Sequence, residues 1–189
     1  MLSMTSEQYS YDLRMPKERV AVLIGKAGSV KRELEVYTHT KILVDSKEGD
    51  VLITGEDALS LFSAREIIKA IARGFNPDIA KLLFNQSYLF ESINIKDYAK
   101  TKNEELRLKG RIIGQEGKSR RVIEELTECY LCVYGKTISM IGEIEKLPLV
   151  RRALEMLLSG SPHSTVFHWL ERQRGRQKRL DTFDNKISS

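Results

Sequence analysis

Hydrophobic and polar positions change their period several times along the first half of the chain. Over 9–15, Tyr9, Tyr11, Leu13 and Met15 alternate with Ser10, Asp12 and Arg14, the two-residue period of a half-buried strand. Pro16 suits a position at or just before a helix start, because its fixed φ matches the first turn and its missing N–H is not needed there. A short helix is expected over 17–24, where glycines interrupt the pattern. Helical spacing resumes over 29–38. It gives way to a strand rich in β-branched residues at 41–45, a polar turn at 46–50 and a second strand at 51–54. The long segment 58–73 places Leu61, Ala64, Ile67, Ile68 and Ile71 on one helical face. The expected order is β-α-α-β-β-α.

The second half repeats the first. Leu23-Ile24-Gly25-Lys26-Ala27-Gly28 returns 89 residues later as Ile112-Ile113-Gly114-Gln115-Glu116-Gly117. At the same offset Lys31-Arg32 falls on Arg120-Arg121, Leu34 on Ile123, Thr38 on Thr127, Ile42 on Leu131 and Val44 on Val133. The offset then slips to 87, so the second copy has a loop two residues shorter. A repeat of this kind signals a duplicated structural unit. Its pieces are expected at 90–95, 103–113, 118–127, 130–134, 137–141 and 145–159. The spacer 75–87, with Pro77 near its start, reads as a short connecting helix. Gly160-Ser161-Pro162 breaks the pattern again, and 165–180 reads as an appended helix.

Composition narrows the function classes. The chain of 189 residues is 41% apolar, enough for two small cores, and it holds no apolar run long enough to span a bilayer. The first residues lack a secretion signal, and two cysteines cannot staple a chain of this size. A cytoplasmic protein without membrane association is expected. The net charge is +5, and residues 171–179 alone carry five positive charges against one negative. Arg172, Arg174, Arg176 and Lys178 are therefore candidates for phosphate contact. Phe167, Trp169 and Leu170 in the same helix could dock on the second repeat or meet another protein.

The two Gly-x-x-Gly turns are the strongest candidates for chemistry. Glycine lets bare backbone approach a ligand, and the helix that follows presents its positive end. Gly25, Lys26, Ala27 and Gly28 with Lys31 and Arg32 form one candidate phosphate site. Gly114, Gln115, Glu116 and Gly117 with Arg111, Lys118, Arg120 and Arg121 form the other, where the Glu116 carboxylate opposes the phosphate and the surrounding cations offset it. Gly117-Lys118-Ser119 does not complete a P-loop, because Ile112 stands where the first glycine is needed. Cys129 and Cys132 fall on a predicted strand, three apart and so on opposite faces. His39, His163 and His168 have no ligand-like spacing, and no acid–base pair or nucleophile with a base is recognisable. No metal, no cofactor and no catalytic activity are expected.

Each Gly-x-x-Gly turn, inside β-α-α-β-β-α, resembles a KH domain of the eukaryotic type. The fold class implied is α+β, with a first KH domain at 7–76, a linker helix at 77–87, a second KH domain at 88–160, and a basic C-terminal helix and tail at 161–189. Lys31 and Arg120 stand where KH domains often carry a groove-lining isoleucine, so both grooves are expected to be more electrostatic than usual. The string Lys109-Gly110-Arg111-Ile112-Ile113-Gly114-Gln115-Glu116-Gly117-Lys118-Ser119-Arg120-Arg121, with Val133-Tyr134-Gly135-Lys136-Thr137 and Gly160-Ser161-Pro162-His163-Ser164, resembles the two-KH small-ribosomal-subunit assembly factors, the Krr-like proteins and the partner of the Nob endonuclease. The resemblance runs through essentially the whole chain. The short start before the first repeat resembles the archaeal form. The resemblance implies single-stranded binding of the 3′ region of small-subunit rRNA and help in its maturation, with contacts to the Nob endonuclease and to the alpha subunit of initiation factor two. A general KH protein of translation control or RNA decay is the alternative. On this reading Gly25→Asp combined with Gly114→Asp is expected to abolish RNA binding without unfolding the protein.

Overall fold

The alternating segment at the start forms β1 (Tyr9–Arg14), followed by α1 (Lys17–Ile24), α2 (Ser29–Thr38), β2 (Lys41–Val44), β3 (Asp50–Gly55) and α3 (Ala58–Ala72). The computed structural model describes residues 9–187, with side chains through Gln177 and that of Arg179. Residues 7, 8, 188 and 189, at the edges of the predicted domains, lie outside it. β3 is the central strand and runs antiparallel to both neighbours, in the order β1-β3-β2. Ile42 of β2 lies opposite Ile53 of β3, and both are fully buried with Val51 beneath the three helices. Val20 and Leu23 from α1, Leu34 from α2, and Ile67, Ile68 and Ile71 from α3 complete that core. Burying each such aliphatic side chain contributes about 1.5–3 kcal/mol. The Asp57 carboxylate accepts a 2.7 Å hydrogen bond from the Ser60 N–H and caps α3.

The chain divides into two compact units, one through Phe90 and the other from Glu91. The spacer read as a linker helix belongs to the first unit. It forms α4 (Pro77–Ala80), capped by Asn76, and a 3-10 turn (Lys81–Phe84). Ala80 and Leu83 are buried, the Phe84 ring stacks on Tyr37 of α2 at 4.1 Å, and Lys81 Nζ lies 2.7 Å from Glu33. Its apolar residues thus give the spacer a surface to pack on, and it does not run as a free connector.

The second copy forms β4 (Tyr88–Asn94), α5 (Lys102–Ile113), α6 (Lys118–Thr127), β5 (Tyr130–Tyr134), β6 (Thr137–Glu143) and α7 (Leu147–Leu158), with sheet order β4-β6-β5. Where the first copy enters its first helix through Pro16, this one uses a reciprocal cap. Thr101 Oγ1 accepts from the Glu104 N–H, and the Glu104 carboxylate accepts from the Thr101 N–H. α8 (His163–Ile187) lies against α6 and α7, with Val166 and Leu170 buried in the same core and Phe167 and Trp169 packed on it. Of the two roles open to those aromatic residues, the structure shows docking on the second repeat. Cys129 is buried and its thiol is pushed up to about 11 by burial, while Cys132 is half-buried. Among the described residues, no group of three or more His, Cys, Asp or Glu side chains is placed to hold a metal ion, and no helix is long and apolar enough to cross a membrane.

Candidate nucleic-acid interface

Both Gly-x-x-Gly segments fold into one conformation. Gly25, Ala27 and Gly28 have φ values of 72°, 51° and 78°, and Gly114, Glu116 and Gly117 have 71°, 52° and 76°. All lie in the region L side chains avoid, so Ala27 and Glu116 are held there by the turn around them. A hydrogen bond closes each turn, Gly28 N to Gly25 O and Gly117 N to Gly114 O, both 3.2 Å. The middle residues Lys26, Ala27, Gln115 and Glu116 are exposed, so neither turn is buried beneath its own domain. α2 and α6 start directly after the turns, and their first N–H groups, Ser29 and Lys118, bond back to the Lys26 and Gln115 carbonyls of the turns. An exposed backbone at a positive helix end is suited to a phosphate oxygen.

The glycines of each turn are not equivalent. A Cβ at Gly25 would stand 2.8 Å from the Val30 N and 2.5 Å from Val30 Cγ2, and one at Gly114 would stand 2.7 Å from the Ser119 N. Gly28 and Gly117 face open space apart from Arg32, 3.7 Å from a Cβ at Gly28. This corrects the expectation for Gly25→Asp with Gly114→Asp. Those substitutions drive atoms into the backbone of the following helix, so they do not leave the fold intact.

Around the first turn, Arg32 donates from Nη2 to the Ala27 carbonyl at 2.5 Å and from Nε to that of Gly28 at 3.2 Å. It thereby orders the loop as well as adding charge. Lys31 Nζ lies 3.6 Å from Glu35. In the second unit Arg120 Nε lies 3.6 Å from Glu124, one helical turn on in the same relation. Glu35 Oε1 also accepts from the Ile42 N–H and Glu124 Oε1 from the Leu131 N–H, both at 2.8 Å. These two glutamates, 89 residues apart, went unnoticed in the sequence although the repeat aligns them. Lys118 and Arg121 are exposed beside the second turn.

Arg111 is placed elsewhere. Its guanidinium donates to the carbonyls of Leu157 (3.2 Å) and Ser161 (2.6 Å), closing the C-terminal end of α7, while His163 Nε2 meets the Arg111 carbonyl at 2.8 Å. Arg19 does the same for α3 through the carbonyls of Ile71 (2.8 Å) and Phe75 (2.5 Å). Arg111 therefore holds the second unit together and is not directed at a ligand. Arg111→Met is expected to cost about 1.5–3 kcal/mol in chemical denaturation, because charged donors to partly buried carbonyls are lost, and to leave RNA affinity unchanged. A weakened RNA complex with unchanged stability would return Arg111 to the interface.

On α8, Arg172, Arg176 and Arg179 line one open face with His168 and Gly175. Arg174 lies on another side, in a cavity it shares with Leu126, Leu170 and Lys146. The Lys178 side chain lies outside the described residues.

Comparison with known proteins agrees with this geometry. Residues 10–70 match the KH domain family, and residues 89–175 match the PNO1 second-domain family, described as a eukaryotic-type, type I KH domain. A KH domain-containing protein of Methanocaldococcus jannaschii is 47% identical over 171 residues, covering 88% of this chain and 75% of that one. The crystal structure of Dim2p from Pyrococcus horikoshii superposes with a TM-score of 0.81 at 42% identity, over 87% of this chain and 99% of that one. The chain belongs to the archaeal two-KH-domain PNO1/Dim2 family. A further Pyrococcus horikoshii structure, described as a complex of a/eIF2alpha, aDim2p and rRNA, matches with a TM-score of 0.84 and 41% identity, over 90% of this chain and 96% of that one. Membership in this family accounts for the duplicated turn, since both copies keep the backbone shape while their exposed residues differ.

Proposed function

We propose that this protein is a cytoplasmic, non-catalytic RNA-binding adaptor of small-subunit ribosome assembly, which holds the single-stranded 3′ region of small-subunit rRNA. The observation that carries the proposal is the pair of exposed turns of matching conformation, each opening a helix toward solvent. KH domains use such a turn to clamp the backbone of about four nucleotides while bases lie in the adjoining groove. Two clamps on one chain raise the effective concentration of the second contact once the first has formed. The Pyrococcus horikoshii complex supports both rRNA and the alpha subunit of initiation factor two as partners. Any cleavage of the bound RNA falls to a partner, such as the Nob endonuclease.

Lys26, Lys118, Arg121, Arg172 and Arg176 are exposed cations near the turns or on α8. If they each neutralise a phosphate, log affinity falls against log salt with a slope of about −3 to −4, at about 0.7 per contact for a single strand. Fluorescence anisotropy with a 3′-terminal small-subunit rRNA segment and a scrambled strand of equal length provides the test. A slope near zero would exclude the backbone grip. Equal affinity for the two strands would exclude the rRNA assignment.

A further inference from the structure

α8 carries a glycine that its own fold does not use. Gly175 lies mid-helix, where glycine is the least favourable residue after proline. Its φ is not positive, and a Cβ placed on it would meet nothing within 4 Å. Neither backbone conformation nor packing requires it, so a better helix former would serve the fold. What the missing side chain provides is a hollow in which another molecule's backbone can approach closely.

Cations surround that hollow. Arg172 stands one turn before Gly175 and Arg179 one turn after, about 10 Å apart along the helix axis, with Arg176 beside them. Arg172 and Arg176 pair with no acid among the described residues. Arg179 Nε donates to the Gly175 carbonyl at 3.3 Å, which folds its guanidinium back over the glycine. The same device occurs at the first turn, where Arg32 Nε donates to the Gly28 carbonyl at 3.2 Å. Among the described residues lining the face the one acid, Glu171, lies 3.1 Å from His168 Nδ1.

This face lacks what a single strand needs, since single-strand sites join cations to aromatic platforms on which bases stack. Phe167 and Trp169 of α8 are packed on the core, and the face holds only guanidinium, imidazole, carboxylate and bare backbone. Such a surface complements a ligand that hides its bases and presents phosphates, as an RNA double helix does. Resting on the RNA-binding reading above, we propose that this face of α8 binds the phosphate ridge of an RNA double helix, which enters the hollow at Gly175 between Arg172, Arg176 and Arg179. The second unit contains both α8 and a Gly-x-x-Gly turn, so it holds the junction between a single strand and an adjoining duplex.

Three RNAs test this by fluorescence anisotropy. The first is a strand of about eight nucleotides from the 3′ end of small-subunit rRNA, enough for two four-nucleotide clamps. The second joins that strand, at each end in turn, to a hairpin of about sixteen base pairs, the reach of a duplex-binding module. The third carries as many unpaired nucleotides in place of the hairpin. The hairpin is expected to raise affinity about 100-fold at about 50 mM salt and to steepen the salt slope by about 2 to 3, at about 0.9 per duplex phosphate contact. The unpaired extension adds less than about tenfold. In the Arg172→Gln, Arg176→Gln, Arg179→Gln variant the hairpin's gain is lost, while the short strand binds within about twofold of the natural protein because its clamps are untouched. Gly175→Leu keeps every charge and strengthens the helix, yet removes the gain by filling the hollow. No gain in the natural protein, a gain that persists in either folded variant, or an unpaired extension that does as well as the hairpin overturns the inference while RNA binding stands. Failure of the natural protein to bind the short strand overturns the RNA-binding reading itself.

Discussion

Lys26→Asp and Ala27→Asp combined with Gln115→Asp and Glu116→Asp lowers affinity for single-stranded RNA by about 1000-fold, or about 4 kcal/mol, because like charges set against one another cost several kcal/mol. All four positions are exposed at the apex of the turns. Ala27 and Glu116 already occupy the left-handed region, which aspartate accepts more readily than most side chains, so the backbone keeps its shape. Unfolding free energy is expected to stay within about 0.5 kcal/mol of the natural protein, as is usual for surface substitutions. Anisotropy titration and a denaturant melt on the same preparation separate the two effects. Affinity that persists in the folded variant would remove the turns from the mechanism.

Substitution of the first glycine of each turn has the opposite character. Gly25→Ala or Gly114→Ala is expected to destabilise its unit by about 2–5 kcal/mol. About 1–2 comes from forcing an L side chain to positive φ and about 1–3 from overpacking against the next helix. The close approaches to Val30 and Ser119 involve backbone nitrogen, which cannot move aside without unwinding the start of the helix. Gly28→Asn and Gly117→Asn meet little or nothing and place a tolerant residue in the left-handed region, so about 1 kcal/mol or less is expected. Equal losses at the first and last glycines would show that the asymmetry described for the turns is wrong.

Much of the fold was legible because each element carries its own signal. The helices 17–24, 29–38 and 118–127 and the strand 130–134 begin and end where the periodicity and the glycines place them. The 3-10 turn Ile95–Asp97 was missed because its cap, Asn94, is a single short-range signal inside a polar stretch. The spacer is helical as read, but its packing was not legible, because Ala80, Leu83 and Phe84 reveal their contacts only when α2 and α3 are brought beside them. The positions of the turns follow from their glycines, but two features of the site lie beyond local pattern. Arg111 looks like a phosphate ligand in a run of basic residues. Its carbonyl partners are 46 and 50 residues away, and only the folded chain shows that the guanidinium is already engaged. Glu35 and Glu124 look like ordinary helix-surface acids, and their place in the groove depends on a strand edge seven residues further on.

The attachment of α8 changes what counts as a minimal unit. Val166 and Leu170 fill positions in the same apolar interior as α6 and α7, and Arg111 and His163 tie the helix entrance to α5. A fragment cut after the last element of the β-α-α-β-β-α pattern would leave that interior open on one side and several carbonyls unmet. The excisable piece is one element longer than the motif that defines it, so its boundary follows the packing of the interior and not the family pattern.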